Sequence, residues 1–224
     1  MPPSRLFVWV PLLLLSSCAQ HRDIALLQAA RQGDTQALQT LLSRGADPNQ
    51  KDAGGLTALI LSTRAGTVPA VETLLRHGAD PNLRGGVNGW TPLMHAIHKN
   101  QKGSVNALLD AGADVNGRST DGSTALMMAA GYGYTDIVNL LLDRGADAHA
   151  QLSDGMNALT FAVLGAPDID RFTAVDCQGP TIKALIERVP DLQVRGSARV
   201  LRAVAAAKLK SCAGFAQLLG TRYP

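Results

Sequence analysis

The sequence is poor in aromatic residues and in cysteine, and it has no long apolar run. Phe, Trp and Tyr make up 4% of the 224 residues, and there are three cysteines. No apolar run reaches the roughly 18 residues that a membrane-spanning helix needs, which argues against an integral membrane protein. Lys and Arg number 21 against 18 Asp and Glu. These charges are spread along the chain and form no cluster of Lys and Arg, so the sequence does not indicate binding to nucleic acid.

Patterns for catalysis or metal binding are also scarce. The chain contains no G-x-S-x-G, H-E-x-x-H or Walker sequence. His95 and His98 have a spacing that two metal ligands could use, but no Cys or carboxylate completes a site nearby in the sequence. Asp168, Asp170 and Asp176 lack the glycine and terminal glutamate of an EF-hand loop. We therefore predict a non-catalytic protein with no cofactor, no metal and no small-molecule substrate.

The first twenty residues have the layout of a secretory signal. Arg5 precedes an apolar stretch at residues 6–15, and Ser16 and Ser17 then precede a cysteine. The stretch is too short to span a bilayer and has the length of a signal-peptide core. Pro11 and the lack of charge favour this interpretation over a buried first helix or strand, which is the alternative.

The string LSSC at residues 15–18 resembles the lipobox of bacterial lipoproteins. In that family the bond before the cysteine is cut and the cysteine is acylated. The resemblance implies a signal peptide at residues 1–17, lipid on Cys18 and a tether at residues 18–22. Several acyl chains, at about 0.8 kcal/mol per buried methylene, give stable anchoring. Ala19 is not the aspartate that commonly retains such proteins in the inner membrane, so an outer-membrane lipoprotein facing the periplasm is implied.

The rest of the chain repeats a short motif at an almost constant interval. Gly-Ala-Asp begins at Gly45, Gly78, Gly112 and Gly145, with spacings of 33, 34 and 33 residues, and each copy follows a leucine pair. A Thr-x-Leu signal stands 17 residues before the last three pairs, at Thr57, Thr91 and Thr124. A fixed period of this size indicates a repeat architecture.

These motifs resemble the ankyrin repeat. The resemblance implies an all-α repeat solenoid of about five to six helix-turn-helix units, joined by β-turn or hairpin loops, over residues 23–220. The predicted units are 23–52, 53–86, 87–119, 120–152, 153–196 and the C-terminal cap 197–220. The fifth unit is about 11 residues too long, which places an insertion near residues 165–180.

Each residue type of the unit has a predicted structural role. The threonines accept a backbone N–H at the start of the first helix. Small residues such as Ala96, Ala129 and Ala130 allow neighbouring first helices to approach. The leucine pairs fill the seam between units, and the following glycines suit a left-handed helix C-terminus. The aspartates at 47, 80, 114 and 147 begin the turn into the next unit.

Two cysteines remain if Cys18 carries lipid, and an exported protein meets an oxidising compartment. A bridge between Cys177 and Cys212 closes a loop of 36 residues and stabilises by roughly 3.8 kcal/mol on the loop-entropy model. Alignment of the last two units places both at the same end of the stack. We predict the disulfide; two free buried thiols are the alternative.

The resemblance also implies a protein-binding surface on the loop tips and the exposed side of the first helices. Those positions are Arg31, Gln32, Leu56, Arg64, Arg84, Asn88, Trp90, His98, Lys99, Arg118, Asp121, Tyr132 and Met156. Trp90 is the predicted interface anchor, and packing of its indole over Val87 is the alternative. The cations on this side favour an acidic partner, although a solvated surface explains them nearly as well.

Three functions are compatible with the sequence. The first is a membrane-tethered periplasmic module that binds one protein, either as an inhibitor or immunity protein of a toxin or in support of a periplasmic enzyme. The second is a structural protein that links the outer membrane to other envelope components. The third and least favoured is an enzyme or metal-binding protein that uses the insertion. The identity of the partner is not encoded in any motif, since a fold carries many functions.

Overall fold

The computed structural model describes the backbone of residues 10–165 and 178–197, and the side chains from residue 21 onward. Several predictions concern residues outside this part of the chain. They are the disulfide between Cys177 and Cys212, the aspartates at 168, 170 and 176, most of the insertion and nearly all of the C-terminal cap.

Ten α-helices form in the described part of the chain. They are α1 (Val10–Gln32), α2 (Thr35–Ser43), α3 (Ala58–Ala65), α4 (Val68–Arg76), α5 (Pro92–His98), α6 (Lys102–Asp110), α7 (Ala125–Tyr132), α8 (Thr135–Asp143), α9 (Ala158–Leu164) and α10 (Gly179–Arg188). They form five consecutive pairs, which confirms the all-α repeat architecture. Within the same residues no strand forms, and the loops carry only isolated antiparallel bridges such as that between Gly85 and Trp90.

The first helix of four pairs begins at a side chain that accepts a backbone N–H. Thr57, Thr91 and Thr124 do so for the residues three positions later, as predicted. Asn157 plays the same part at α9. Each such bond satisfies one of the amides that have no partner inside the helix.

The helix pairs stack so that first helices contact first helices. In chain order α1, α3, α5, α7 and α9 pack against one another, and the second helices lie outside them. Ala96, Ala129 and Ala130 are fully buried in this inner layer, which lets the helices approach as predicted. The seam is filled by Leu42, Leu74, Leu108 and Leu141, all buried, while their neighbours in the leucine pairs are partly buried against the core.

The Gly-Ala-Asp motif ends the second helix and starts the next loop. Gly45 has φ of 83°, a left-handed conformation that glycine adopts without steric cost, and the other three glycines of the motif share it. The side chain of Asp47 then accepts the N–H of Asn49 at 2.9 Å, and the same turn recurs at Asp80, Asp114 and Asp147. Both predicted roles are confirmed.

Asparagines at the same position of successive units form a ladder between the loops. Asn82 donates to the carbonyl of Gly112 at 3.3 Å and accepts the N–H of Asp114 at 2.7 Å. Asn49 and Asn116 make the equivalent pair of bonds to the unit that follows each of them. This asparagine ladder joins one unit to the next at the loop end of the stack.

The N-terminal helix is longer than the others. It starts at Val10 and continues without a break past residue 18 into the first pair. Among the helices of the described part, none combines the length and the apolar character needed to cross a membrane. The signal peptide, the tether and the lipid on Cys18 stay predictions.

Candidate functional site

A groove of about 670 Å³ lies between the loop tips and the C-terminal ends of α3, α5 and α7. We call it the aromatic groove. It spans the second, third and fourth helix pairs. Its lining residues are Gly54, Leu56, Arg64, Gly85, Gly86, Val87, Asn88, Trp90, His95, His98, Lys99, Thr120, Asp121 and Tyr132.

Hydrogen bonds between neighbouring loop tips hold one side of the aromatic groove. The carbonyl of Trp90 accepts the N–H of Gly85 at 3.1 Å, which closes the loop before α5. The carbonyl of Asn88 accepts both the N–H and the hydroxyl of Thr120, at 3.1 and 2.9 Å. The tips of the third and fourth units are therefore fastened directly to each other.

A continuous row of rings runs along the aromatic groove, and all of its members except Tyr134 line the groove. The indole of Trp90 lies 5.4 Å from the ring of His95 and 5.3 Å from that of His98, between ring centroids. The ring of Tyr132 follows at 5.8 Å from His98, and Tyr134 lies 5.4 Å beyond it. Nδ1 of His98 is 3.0 Å from the hydroxyl of Tyr132. Edge and tilted contacts at these distances are favourable for aromatic rings.

His95 is the most buried titratable group of the groove. Its side chain is on α5, the residue is 9% exposed, and its Nε2 atom is buried with no hydrogen-bond partner. Burial disfavours the charged imidazolium, and the positive charges of Arg64, His98 and Lys99 add to this, so the pKa of His95 falls to about 4. The imidazole is consequently neutral at neutral pH.

Asp121 is the carboxylate of the groove, and its oxygens are occupied by its own loop. The hydroxyls of Ser119 and Ser123 donate to it, the latter at 2.8 Å, and the N–H of Ser123 donates at 3.2 Å. Partial burial raises the pKa of Asp121, but these hydrogen bonds outweigh burial and hold the pKa below its usual value. Asp121 is thus an ionised residue of the loop.

The cations of the groove lie at the C-terminal ends of two first helices. Arg64 is in the last turn of α3 and Lys99 is the C-terminal cap of α5. The carbonyls at such helix ends favour positive charge nearby. Both side chains are exposed, and the charges of both act on His95.

A smaller cavity of about 360 Å³ lies at the N-terminal end of the stack. Arg31 lines it and forms an ion pair of 2.5 Å with Asp52. Burial raises the pKa of Asp52. The hydrogen bonds from the N–H of Leu56, from Arg31 and from the N–H of Gly54 lower the pKa by more, so it lies below its usual value. Gln32 is exposed at the end of α1.

The remaining predicted binding residues lie outside the aromatic groove. Nη1 of Arg118 donates hydrogen bonds to the carbonyls of Gly122 and Gln151, so the side chain bridges two loops. Arg84 is exposed, and its carbonyl accepts the ammonium of Lys51 at 3.1 Å. Met156 is half-buried against the core.

The structure thus brings eight of the thirteen predicted binding residues into one groove. They are Leu56, Arg64, Asn88, Trp90, His98, Lys99, Asp121 and Tyr132. The alternative packing of Trp90 over Val87 is wrong, since Val87 is 97% exposed and the indole contacts two histidines instead. Sequence reasoning did not include His95 in the surface, although its spacing from His98 was a usable signal.

Metal ligands do not converge in the described residues. There, no group of three or more His, Cys, Asp and Glu side chains is placed to hold an ion. The two histidines of α5 instead take part in ring contacts with Trp90.

Comparison with known proteins agrees with the architecture. A family model described as ankyrin repeats, in three copies, matches residues 26–119 and 100–172, which together exceed half of the chain. No curated protein matches the chain.

Proposed function

The chain belongs to the ankyrin-repeat family, and from that premise we propose that it is a non-catalytic protein-binding module held at the bacterial envelope by lipid on Cys18. Ankyrin repeats generally mediate protein–protein interaction and are generally non-catalytic. The periplasmic location, the anchor and the single protein partner are our proposal.

The observation that carries the binding role is the aromatic groove. A rigid stack presents an indole, two imidazoles and a phenol beside two exposed cations. Aromatic and arginine side chains are enriched among the residues that contribute most to protein interfaces. The groove is preorganised by the asparagine ladder and by the bonds of Asn88, so binding costs little ordering of the loops.

The anchor is supported by the sequence around residue 18. The apolar stretch at residues 6–15 is followed at once by LSSC. Lipid on Cys18 would keep the stack at a membrane surface, with the groove available to a periplasmic protein. Such a module would act as an inhibitor or immunity protein, or would support an exported enzyme.

Capture of the partner tests the binding role. Trp90→Ala in the full-length protein should lose one stoichiometric partner from periplasmic extract, because the indole lines the groove and contacts both of its histidine rings. Leu109→Ala is the matched control, since Leu109 is half-buried like Trp90 but lies on the second helix α6, outside the groove lining. An unchanged partner set with Trp90→Ala would contradict binding through this surface. Partners limited to envelope scaffolding components would favour the structural role.

The anchor is tested by mass spectrometry of the membrane-extracted protein. We expect a chain that starts at Cys18 and carries acyl groups. Cys18→Ser should be released from the membrane fraction, whereas Cys177→Ser should stay in it. A chain that retains an unmodified Met1 would contradict the lipoprotein proposal.

A further inference from the structure

The aromatic groove has two cations that nothing in the described residues neutralises. Arg64 and Lys99 have no ion pair and no hydrogen bond from their side chains in that part of the chain. Several cations outside the groove do have partners, such as Arg31 with Asp52 and Lys102 with Asp136. Both unpaired cations line the same groove as His95, and the charges of both act on its imidazole.

The carboxylate of the groove, Asp121, does not pair with these cations. Asp121 receives the hydroxyls of Ser119 and Ser123 and the N–H of Ser123. Its acceptor positions are therefore used inside its own loop, and it has no ion pair with either cation. The groove keeps two positive charges available for a ligand.

His95 supplies a third, independent sign of a missing partner. The residue is 9% exposed, lines the groove and leaves Nε2 without a hydrogen-bond partner. Buried polar atoms are nearly always hydrogen-bonded in native proteins, and an unpaired one costs stability. A neutral imidazole offers one donor or one acceptor to an incoming polar group.

Apolar and aromatic surface adjoins the charged part of the groove. The rings of Trp90 and Tyr132 both contact the ring of His98, and Leu56 belongs to the same lining. A volume of about 670 Å³ is within the range of roughly 300–1,000 Å³ that ligand pockets occupy. It has room for a few side chains of a peptide segment.

We propose that the aromatic groove recognises an exposed segment of the partner protein in which an Asp or Glu side chain stands beside an aromatic or apolar one. The carboxylate lies between Arg64 and Lys99, and the neighbouring side chain packs on Trp90. A polar group of the same segment reaches His95. This inference rests on the proposed protein-binding function and names the chemistry of the partner.

Selection from a random 12-residue peptide library displayed on phage tests this site with the full-length protein as bait. Enriched peptides should carry an excess of Asp or Glu next to Phe, Tyr, Trp or Leu. The double variant R64E/K99E should bind them roughly 10- to 100-fold more weakly, the loss expected for contacts to a charged group. Selection on that variant should enrich Lys and Arg instead.

The matched control changes net charge equally but outside the groove. Arg76 and Lys183 are exposed on the second helices α4 and α10, so R76E/K183E should bind the enriched peptides as the unaltered protein does. Equal weakening in both double variants would show an effect of overall charge and would overturn the site. Synthetic peptides with free and amidated C-termini separate side-chain recognition, which predicts equal affinity, from recognition of a terminal carboxylate, which contradicts it.

Failure of this inference is distinguishable from failure of the proposed function. Peptides without acidic residues, no enrichment, or equal binding by R64E/K99E would overturn the carboxylate site. If R64E/K99E still captures the native partner that Trp90→Ala loses, protein binding stands and the carboxylate site fails. If acidic peptides bind the groove but no native partner is captured from extract, the carboxylate site stands and the proposed binding of a periplasmic partner fails.

Discussion

His95 shows how one side chain reports on the aromatic groove. A histidine on an inner helix of a stacked repeat would be expected to pack as a neutral, satisfied group. Here burial and the cations around it keep the imidazole uncharged, while its Nε2 has no partner. An unpaired buried atom of this kind costs stability, which the packing of the surrounding helices must offset.

The low pKa of His95 makes stability depend on pH. Because the pKa is about 4 in the folded protein and 6.5 in an exposed imidazole, the unfolded state binds more protons between these values. The stabilisation is complete above pH 6.5 and is lost as the pH falls towards 4. The free energy of unfolding of His95→Gln, measured with urea, should fall less over this pH range than that of the unaltered protein. Imidazole proton resonances of His95 that titrate near 6.5 would contradict the prediction.

Thr91 tests the importance of a single cap. Its side chain accepts the N–H of Met94 at 3.3 Å at the start of α5, directly beside Trp90. Thr91→Ala should lower the free energy of unfolding by about 1 kcal/mol, as measured by urea denaturation. Thr91→Ser keeps the hydroxyl and should lose much less, so equal losses for the two variants would argue against the cap.

At the scale of elements, the loops are joined more systematically than the helices alone suggest. Asn49, Asn82 and Asn116 bind the next unit in the same way. The fourth unit has His149 at this position, and Nε2 of His149 lies 3.4 Å from Asp191. The asparagine ladder therefore ends where the next unit departs from the repeat, and an exposed histidine–aspartate contact takes its place.

Asn82→Ala measures the strength of one rung of this ladder. Removing two hydrogen bonds to the third unit should lower the free energy of unfolding by about 1–2 kcal/mol. Asn106→Ala is the control, because Asn106 is half-buried on α6 and makes no hydrogen bond with its side chain in the described residues. Since alanine favours a helix, the control should be neutral or slightly more stable. Equal losses would contradict the role of the ladder.

At the scale of the whole molecule, stability comes from contacts between neighbouring units. A lone helix pair cannot bury its apolar side, so each pair depends on the pairs that flank it. The helix α7 packs against α5, α8 and α9, which makes the fourth pair a central support of the described stack. The aromatic groove spans three pairs and exists only while they remain stacked.

Leu126→Ala tests this dependence at α7. Leu126 is 1% exposed, and a cavity at such a site costs roughly 2–5 kcal/mol. Hydrogen exchange should rise most in α5, α7 and α9 and least in α2, because coupling passes between neighbours. Leu140→Ala, at a half-buried position of α8, should cost less. A uniform rise along the chain would indicate a single indivisible core instead.

The local features of the fold could be predicted from the residues themselves. The caps at Thr57, Thr91 and Thr124 and the turns at the Gly-Ala-Asp motif depend on interactions within a few residues, which a repeated string displays directly. The period also indicated which positions stack, because each unit must bury its apolar side against the next. Asn157 was not predicted as a cap, since it stands where the other units have threonine.

The period of 33 to 34 residues, together with the recurring threonines, was sufficient to predict the helix pairs and the caps of α3, α5 and α7. The tertiary structure alone decided that Arg64, Trp90, His95, Lys99 and Tyr132 share one groove and that Arg118 instead bridges two loops. The physical reason is range. Caps and turns are set by neighbours in the chain, whereas the pairing and burial of side chains from three different units depend on how those units stack.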